Sequence, residues 1–160
     1  MDVIAVTGTP GTGKTYLSKR LSSHLGFEYI DLNSLARDSG WVDGYDEGRA
    51  CDIIDEGKLR DGIAPFLEEK AQSGKKGLVL DSHMAHLIPK GLVSLCIVVR
   101  CPLPLLKGRL EARGYTASKV RENLDSEIFD VCLVEAAEEG HDVLEMSSSD
   151  DPSRVSKTLE

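Results

Sequence analysis

With 160 residues, the chain fits one domain with a single buried core and is too short for two domains of ordinary size. Hydrophobic residues make up 41% and charged residues 29% of it, as in other globular proteins. The formal net charge of -8 argues against non-specific nucleic-acid binding, which needs a basic surface, and favours a basic macromolecular partner.

The amino-terminal residues and the cysteines favour a cytoplasmic protein, or a nuclear one in a eukaryotic host. The chain begins with an acid at Asp2 and reaches a glycine after few apolar residues, so we expect no signal peptide. No apolar run approaches the roughly 20 residues that cross a bilayer, so we expect no membrane association. The cysteines have no metal-binding spacing and should be reduced thiols: Cys51, Cys96, Cys101 and Cys132.

The first half of the chain alternates apolar runs with helical patterns. Residues 3–6 are apolar and β-branched, which predicts a buried strand, and leucines at 17, 21 and 25 predict a helix over 14–25 that Gly26 ends. A second strand is expected at 27–30. A polar stretch rich in glycine and acid, 31–55, carries no predicted element. The next helix is expected over 58–72.

The second half continues the alternation. Apolar runs predict strands at 77–81 and 95–100, the first ending on Asp81 and the second on Arg100. Helices are expected over 102–113 and 118–139, separated by Gly114. A fifth strand at 142–146 and a short helix from Pro152 complete the chain.

This order of elements predicts an α/β fold with a five-stranded parallel sheet and helices on both faces, in three layers. We expect a single domain over 1–160. Ligands in such folds bind beyond the carboxyl ends of the strands. The glycine loop, Asp81 and Arg100 all fall at that edge.

The segment 8–15, Gly-Thr-Pro-Gly-Thr-Gly-Lys-Thr, matches the phosphate-binding loop pattern in full, directly between a strand and a helix. Its glycines let successive N–H groups point into one concavity, and the helix adds the positive end of its dipole. Lys14 should bridge the β- and γ-phosphates of ATP, and the Thr15 hydroxyl should bind Mg²⁺. The expected ATP-binding residues are Gly11, Thr12, Gly13, Lys14, Thr15, Tyr16 and Arg113.

The loop alone does not separate a kinase from other nucleotide hydrolases. The chain has no Asn-Lys-x-Asp guanine-reading motif, which argues against a GTPase. It is also shorter than a motor or transporter ATPase.

Asp81 and His83 follow the apolar run 78–80. From this position the Asp81 carboxylate can hold Mg²⁺ or its water shell beside Thr15; a helix cap or surface acid is the alternative. His83 could orient a water molecule or a substrate phosphate, or it could cap a turn.

Phosphoryl transfer needs cations around the moving group. Arg109 and Arg113, four residues apart before Gly114, should share one helix face and are candidate catalytic residues; a solvated basic face is the alternative. Arg37 lies just past the second strand, where it could bind the phosphate of the acceptor, unless it is a surface arginine.

Together these motifs resemble the adenylate kinase isoenzyme 6 family over nearly the whole chain. The order and spacing of the pieces carry the resemblance more than any one of them does, apart from the loop. The matching segments are the loop 8–15, Asp31-Leu32, Leu35-Ala36-Arg37, Asp43-Gly44-Tyr45-Asp46-Glu47, Val79-Leu80-Asp81-Ser82-His83, Arg109-Leu110-Glu111-Ala112-Arg113-Gly114-Tyr115, Glu122-Asn123 and Glu127-Ile128-Phe129.

The resemblance implies a nucleoside monophosphate kinase fold and an ATP:AMP phosphotransferase that also hydrolyses ATP and assists maturation of the small ribosomal subunit. It implies a monophosphate-binding segment at about 31–54, with Asp31 and Arg37 at the AMP site, and a short lid at about 112–121. Asp81 and His83 would handle magnesium and water. The implied partner is a small-subunit platform ribosomal protein of the ribosomal protein eleven family.

The sequence departs from the family in ways that are more typical of its archaeal members. Tyr16 stands where a second threonine is common, Gly48-Arg49-Ala50 replaces a more acidic stretch, and Met84-Ala85-His86 replaces Gly-Cys-Asp. Three alternatives remain: an ATPase with incidental kinase activity, a nucleotide-gated chaperone, and another small kinase such as shikimate or dephospho-coenzyme A kinase.

Overall fold

The computed structural model describes residues 1–46 and 51–160, so the departure at Gly48-Arg49-Ala50 lies outside the described residues. The strands are β1 (Asp2–Thr7), β2 (Glu28–Asp31), β3 (Val42–Asp46), β4 (Cys51–Ile54), β5 (Gly77–Asp81), β6 (Leu95–Arg100) and β7 (Val143–Ser147). The helices are α1 (Lys14–Leu25), α2 (Leu32–Asp38), α3 (Glu56–Gln72), α4 (Leu103–Ala112), α5 (Ala117–Ile128), α6 (Val131–Glu138) and α7 (Ser153–Leu159).

Five strands form a parallel sheet in the order β2-β5-β1-β6-β7. The register places Asp31 and Val6 beside Asp81, and Thr7 beside Val98. The carboxyl ends of β1, β2 and β5 therefore meet at one edge. The phosphate loop leaves β1 at this edge, as the sequence predicts.

Alternating side chains divide the core between the two faces of the sheet. On β1, Val3 and Ala5 pack with apolar residues of α2, α3 and α6. Ile4 and Val6 pack on the other face with α1 and α7. This arrangement confirms the predicted three-layer α/β fold. No helix in the described part of the chain is long and apolar enough to cross a membrane.

The polar stretch 31–55, predicted to carry no element, contains helix α2 and the antiparallel hairpin β3–β4. Asp31 caps α2, because its Oδ1 accepts from the N–H groups of Asn33 and Ser34 at 3.0 and 3.2 Å. Trp41 joins the hairpin to the core: it is 9% exposed, its N–H donates to Ala36, and its carbonyl accepts from Asp55. The cap at Asp31 and the burial of Trp41 thus stabilise α2 and the hairpin, although this stretch of the sequence has no apolar pattern that predicts them.

The contact between Trp41 and α3 gives a stability prediction. A Cβ at Gly62 would lie 2.4 Å from Cε2 of the Trp41 ring. In Gly62→Ala, overpacking of about 1–3 kcal/mol should outweigh the gain of about 1 kcal/mol in helix propensity, so the melting temperature falls. Gly108→Ala in α4, where nothing lies within 4 Å of the added Cβ, should raise it. Thermal unfolding of both variants checks this, and equal shifts of one sign would contradict it.

The single helix predicted over 118–139 is wrong. The structure has α5 and α6, separated at Phe129 and Asp130, and Asp130 adopts a left-handed φ of 53°. Arg100 holds this break, because its guanidinium donates to Glu127 Oε1 at 2.5 Å and to the Asp130 carboxylate. A continuous helix would carry Asp130 away from Arg100, so a tertiary contact overrides the helical periodicity.

Candidate active site

The phosphate loop takes its shape from glycines that nothing larger can replace. Gly8 has a φ of 147°, and a Cβ there would lie 2.6 Å from the carbonyl oxygen of Val99. Gly13 has a φ of 96°, and a Cβ there would lie 2.6 Å from Cβ of Ser148. Thr12 turns inward and its hydroxyl donates to the Thr9 carbonyl at 2.7 Å. The loop is therefore rigid before any ligand arrives.

Helix α1 begins directly at the loop with Lys14. Gly13 is its N-cap, and no side chain among the described residues caps its first turn. The N–H groups and the positive dipole end consequently face the cavity, which suits an anion. The Lys14 ammonium donates to the Thr9 carbonyl at 3.3 Å, over the loop. Burial lowers the pKa of Lys14 to about 8, opposed by the nearby Asp81 carboxylate.

Asp81 and Thr15 meet at the edge where β1, β2 and β5 end. Asp81 is 5% exposed, and its Oδ2 accepts from the Thr15 hydroxyl at 2.7 Å and the Tyr29 hydroxyl at 2.9 Å. Burial raises the pKa of Tyr29, and Asp81 raises it further, so the phenol stays a donor.

These two side-chain oxygens fit magnesium. Neighbouring ligands on octahedral Mg²⁺ lie about 3 Å apart, close to the separation of Thr15 Oγ1 and Asp81 Oδ2. No cluster of three or more metal-binding side chains occurs in the described ranges. One carboxylate and one hydroxyl would leave the other positions of the ion to substrate phosphates and water.

A cavity of about 1090 Å³ extends from the phosphate loop and collects most of the predicted site. Its lining includes Lys14, Asp31, Asp81, His83 and Arg113. This volume is close to the upper end of the roughly 300–1,000 Å³ that is typical of ligand pockets. Burial, together with the nearby Lys14 ammonium, lowers the pKa of His83 to about 4, so its imidazole is neutral at pH 7.

The predicted lid carries positive charge on the opposite wall. Arg113, Tyr115 and Lys119 all line the cavity. The ammonium of Lys119 lies 3.9 Å from the centroid of the Tyr115 ring, and the Arg113 guanidinium lies 6.0 Å from it. The ring thus holds two cations beside the loop.

Arg109 has a different position from Arg113. Its Nη1 donates to the Gly11 carbonyl at 3.3 Å and to Cys101 Sγ at 3.7 Å. It therefore braces the outside of the loop, and its catalytic role stays a prediction. Tyr16 lines the cavity and is 62% exposed, with the Arg20 guanidinium 5.4 Å from its ring centroid.

Arg37 lies on α2 and does not line the cavity, whereas Asp31, at the end of β2, does. The side chain of Arg37 is 51% exposed and donates to Asp52 at 2.8 Å and to the Ser34 hydroxyl at 3.0 Å. This ion pair joins α2 to the hairpin. Asp31 lines the cavity but also caps α2. Their roles in binding AMP stay predictions.

Arg100 stands at the predicted edge but faces away from the phosphates. Its guanidinium is bound by Glu127, Asp130 and Glu145. Because three carboxylates already compensate its positive charge, Arg100 is not available to bind a phosphate. The sequence predicts the position of Arg100 at the end of β6, but it does not predict the carboxylates that bind its guanidinium.

Several residues in or beside the cavity were not singled out from the sequence. The lining includes His86, Lys119 and Glu135, and two further residues bond to lining residues, Thr7 and Tyr29. Tyr29 reaches Asp81 because β2 pairs with β5, a neighbour relation that the chain order does not show. His86 lies on the short 3₁₀ turn Ala85–Leu87 that follows His83, and no pattern in the sequence singled it out. Lys119 lies in the first turn of α5, which follows Tyr115.

Comparisons with known proteins identify the family of the chain. A family model described as an AAA domain matches residues 4–130. The chain is 39% identical over 156 residues to the adenylate kinase isoenzyme 6 homolog FAP7 of Saccharomyces cerevisiae, covering 96% of this chain and 76% of that protein. It is 35% identical over 158 residues to the adenylate kinase isoenzyme 6 homolog of Caenorhabditis elegans, covering 98% and 85%.

Among solved structures, shikimate kinase from Acinetobacter baumannii in complex with shikimate matches with a TM-score of 0.59. The sequences are 14% identical, and the match covers 99% of this chain and 93% of that one. At this identity the match shows only the shared fold of small phosphate-loop kinases.

Proposed function

The chain belongs to the adenylate kinase isoenzyme 6 family, and from this premise we propose that it transfers the γ-phosphoryl group of ATP to AMP and releases two molecules of ADP. One observation supports the proposal most. A single cavity joins the phosphate loop to Asp31 of the predicted monophosphate-binding segment 31–54 and to Arg113 of the predicted lid 112–121. Donor and acceptor can therefore lie end to end.

The proposed mechanism relies on position and charge. The loop N–H groups and Lys14 hold the β- and γ-phosphates of ATP, while Arg113 approaches the transferred group from the lid. Thr15 and Asp81 would hold Mg²⁺, which neutralises phosphate charge when it is bound. The AMP phosphate attacks in line from the side of Asp31 and Arg37. Arg113 then stabilises charge that builds only in the transition state.

A scan of acceptors tests this proposal on one protein sample. ADP production from magnesium ATP is measured with AMP, other nucleoside monophosphates, shikimate, dephospho-coenzyme A and water alone. We expect AMP to raise the rate far above that with water, and two ADP to form for each AMP consumed. A higher rate with shikimate or dephospho-coenzyme A would overturn the assignment of the acceptor.

Arg37 and Arg113 should affect different kinetic constants, the KM for AMP and kcat. Arg37→Ala should raise the KM for AMP about tenfold or more and that for ATP much less, because a charge-assisted hydrogen bond contributes about 1.5–3 kcal/mol. Arg113→Ala should instead lower kcat. Arg60→Ala, whose side chain pairs with Glu56 and Glu139, is the control and should change neither. Equal effects of the Arg37 and Arg113 variants on both substrates would contradict this division.

We further propose that the protein hydrolyses ATP when AMP is absent. The short lid shields the γ-phosphate from water incompletely, and the neutral imidazole of His83 lies in the cavity two residues beyond Asp81. A neutral imidazole can accept a hydrogen bond from water and orient it for attack.

His83→Ala should therefore lower ATP hydrolysis by a larger factor than AMP phosphorylation, because AMP brings its own positioned nucleophile. The two rates are compared at saturating magnesium ATP, with a thermal melt to establish folding. His24→Ala, an exposed histidine of α1 bonded to Ser156, is the matched control. Loss of both activities in equal proportion would make His83 a structural or metal-side residue.

The physiological setting that we propose is small-subunit ribosome maturation in the cytoplasm, or in the nucleus of a eukaryotic host. The net charge of -8 supports a basic ribosomal protein of the small-subunit platform as partner. The test is the affinity for that protein with and without ATP. Binding that depends on nucleotide while AMP phosphorylation is undetectable would favour the nucleotide-gated chaperone.

A further inference from the structure

A hydrogen-bonded chain beside the cavity involves His86, a lining residue without a role in the mechanism above. His86 is 2% exposed. Its Nδ1 lies 2.7 Å from the Thr7 hydroxyl at the end of β1, and its Nε2 lies 2.6 Å from Oε2 of Glu135 on α6. The imidazole thus joins the entry to the phosphate loop to a helix on the cavity wall.

The chain continues to His83. The Thr7 hydroxyl also lies 3.2 Å from the backbone carbonyl of His83, to which it donates. A second bond, from the Ser82 N–H to the Val6 carbonyl at 3.2 Å, fixes the same segment to β1. The backbone that carries the His83 imidazole is therefore fastened to the strand that carries the phosphate loop.

Counting protons fixes the form of His86. The Thr7 hydroxyl has one proton, and the bond to the His83 carbonyl uses it. Oγ1 of Thr7 must then accept from His86, so Nδ1 carries a proton. The contact between Nε2 and Glu135 holds another proton between the two groups.

We propose that His86 is a positioning residue for the attack of water: through Thr7 it holds His83 at the distance from the phosphate loop that hydrolysis requires. This inference deepens the proposed function and rests on it. The effect of His86 on hydrolysis is geometric, because a shift of about 1 Å in a group that positions the nucleophile can lower the rate about a hundredfold. AMP phosphorylation depends on it less, since that acceptor is held by its own contacts.

Kinetics of two variants of His86 test the proposal. His86→Ala should lower kcat for ATP hydrolysis about tenfold or more, with the KM for ATP unchanged and AMP phosphorylation reduced much less. His86→Asn places an amide nitrogen near the position of Nδ1 and should restore hydrolysis to within about threefold of wild type. Thr7→Val should reproduce the effect of His86→Ala, and the double variant should be no worse than either, because both break one chain.

A control separates positioning from stability. Val155→Ala, in α7 on the opposite face of the sheet, also removes buried atoms and should leave the ratio of the two activities unchanged. All rates are measured well below the melting temperature of each variant. In addition, imidazole ¹⁵N chemical shifts of the wild-type protein, assigned with His86→Asn, should show a protonated Nδ1.

The outcomes separate the two proposals. A wild-type protein that does not hydrolyse ATP would overturn the proposed hydrolysis and this inference together. Hydrolysis that falls in His83→Ala but not in His86→Ala would overturn the inference alone. So would equal loss of both activities, no rescue by asparagine, or an unprotonated Nδ1.

Discussion

Lys14→Ala should reduce both AMP phosphorylation and ATP hydrolysis at least about a hundredfold, which corresponds to about 2.7 kcal/mol of barrier. The Lys14 ammonium lies over the loop beside Asp81, and we expect it to contact the phosphates directly. Turnover is measured with magnesium ATP, with and without AMP.

The same variant should not melt below the wild type in the absence of nucleotide. Burial lowers the pKa of Lys14 to about 8, below its ordinary value of 10.5, so folding disfavours the charged form at neutral pH. Removing that charge removes the cost. Lys107→Ala, an exposed lysine of α4, is the control and should retain full turnover. Turnover of Lys14→Ala within about tenfold of wild type would exclude the role of Lys14 in transfer.

The central sheet and the phosphate loop could be predicted from local sequence alone. The three central strands, β1, β5 and β6, are short apolar runs, because they are covered on both faces. The loop is recognisable because its chemistry needs glycines and a lysine at fixed spacing between a strand and a helix. Both signals lie within a few consecutive residues.

The hairpin and the break between α5 and α6 depend on contacts distant in sequence. Residues 42–46 are mostly polar, and the contact of Trp41 with α3 holds the hairpin to the core. Asp130 adopts a left-handed conformation although it is not glycine, since Arg100 binds its carboxylate. Neither partner can be identified from its neighbours along the chain.

Some residues of the candidate site can likewise be predicted from local sequence, and others depend on contacts that are distant in sequence. Asp81 and His83 were found because they follow a strand next to the loop. Their partners Tyr29 and Thr7 are 52 and 76 residues away in sequence, and only the strand order brings them together. The sequence predicts where Arg100 and Arg109 lie in the fold. It does not predict which groups accept hydrogen bonds from their guanidinium N–H groups.

Asp81→Asn should depress AMP phosphorylation and ATP hydrolysis together, by about a hundredfold or more, because both routes need the same magnesium ion. The asparagine side chain keeps an oxygen that can accept from Thr15 and Tyr29, so the fold should survive. What it loses is the negative charge that magnesium binding requires. The magnesium concentration for half-maximal turnover should therefore rise as well.

Tyr29→Phe tests whether the charge or the hydrogen bonds of Asp81 matter more. It removes the donor at 2.9 Å and leaves the carboxylate bonded to Thr15 at 2.7 Å, so turnover should fall less than about tenfold. Both rates are measured as a function of magnesium concentration at fixed ATP. If Asp81→Asn behaved like Tyr29→Phe, with an unchanged magnesium requirement, Asp81 would be a structural acceptor that orders the ends of β2 and β5. The metal would then have to be held by Thr15 and the phosphates of ATP.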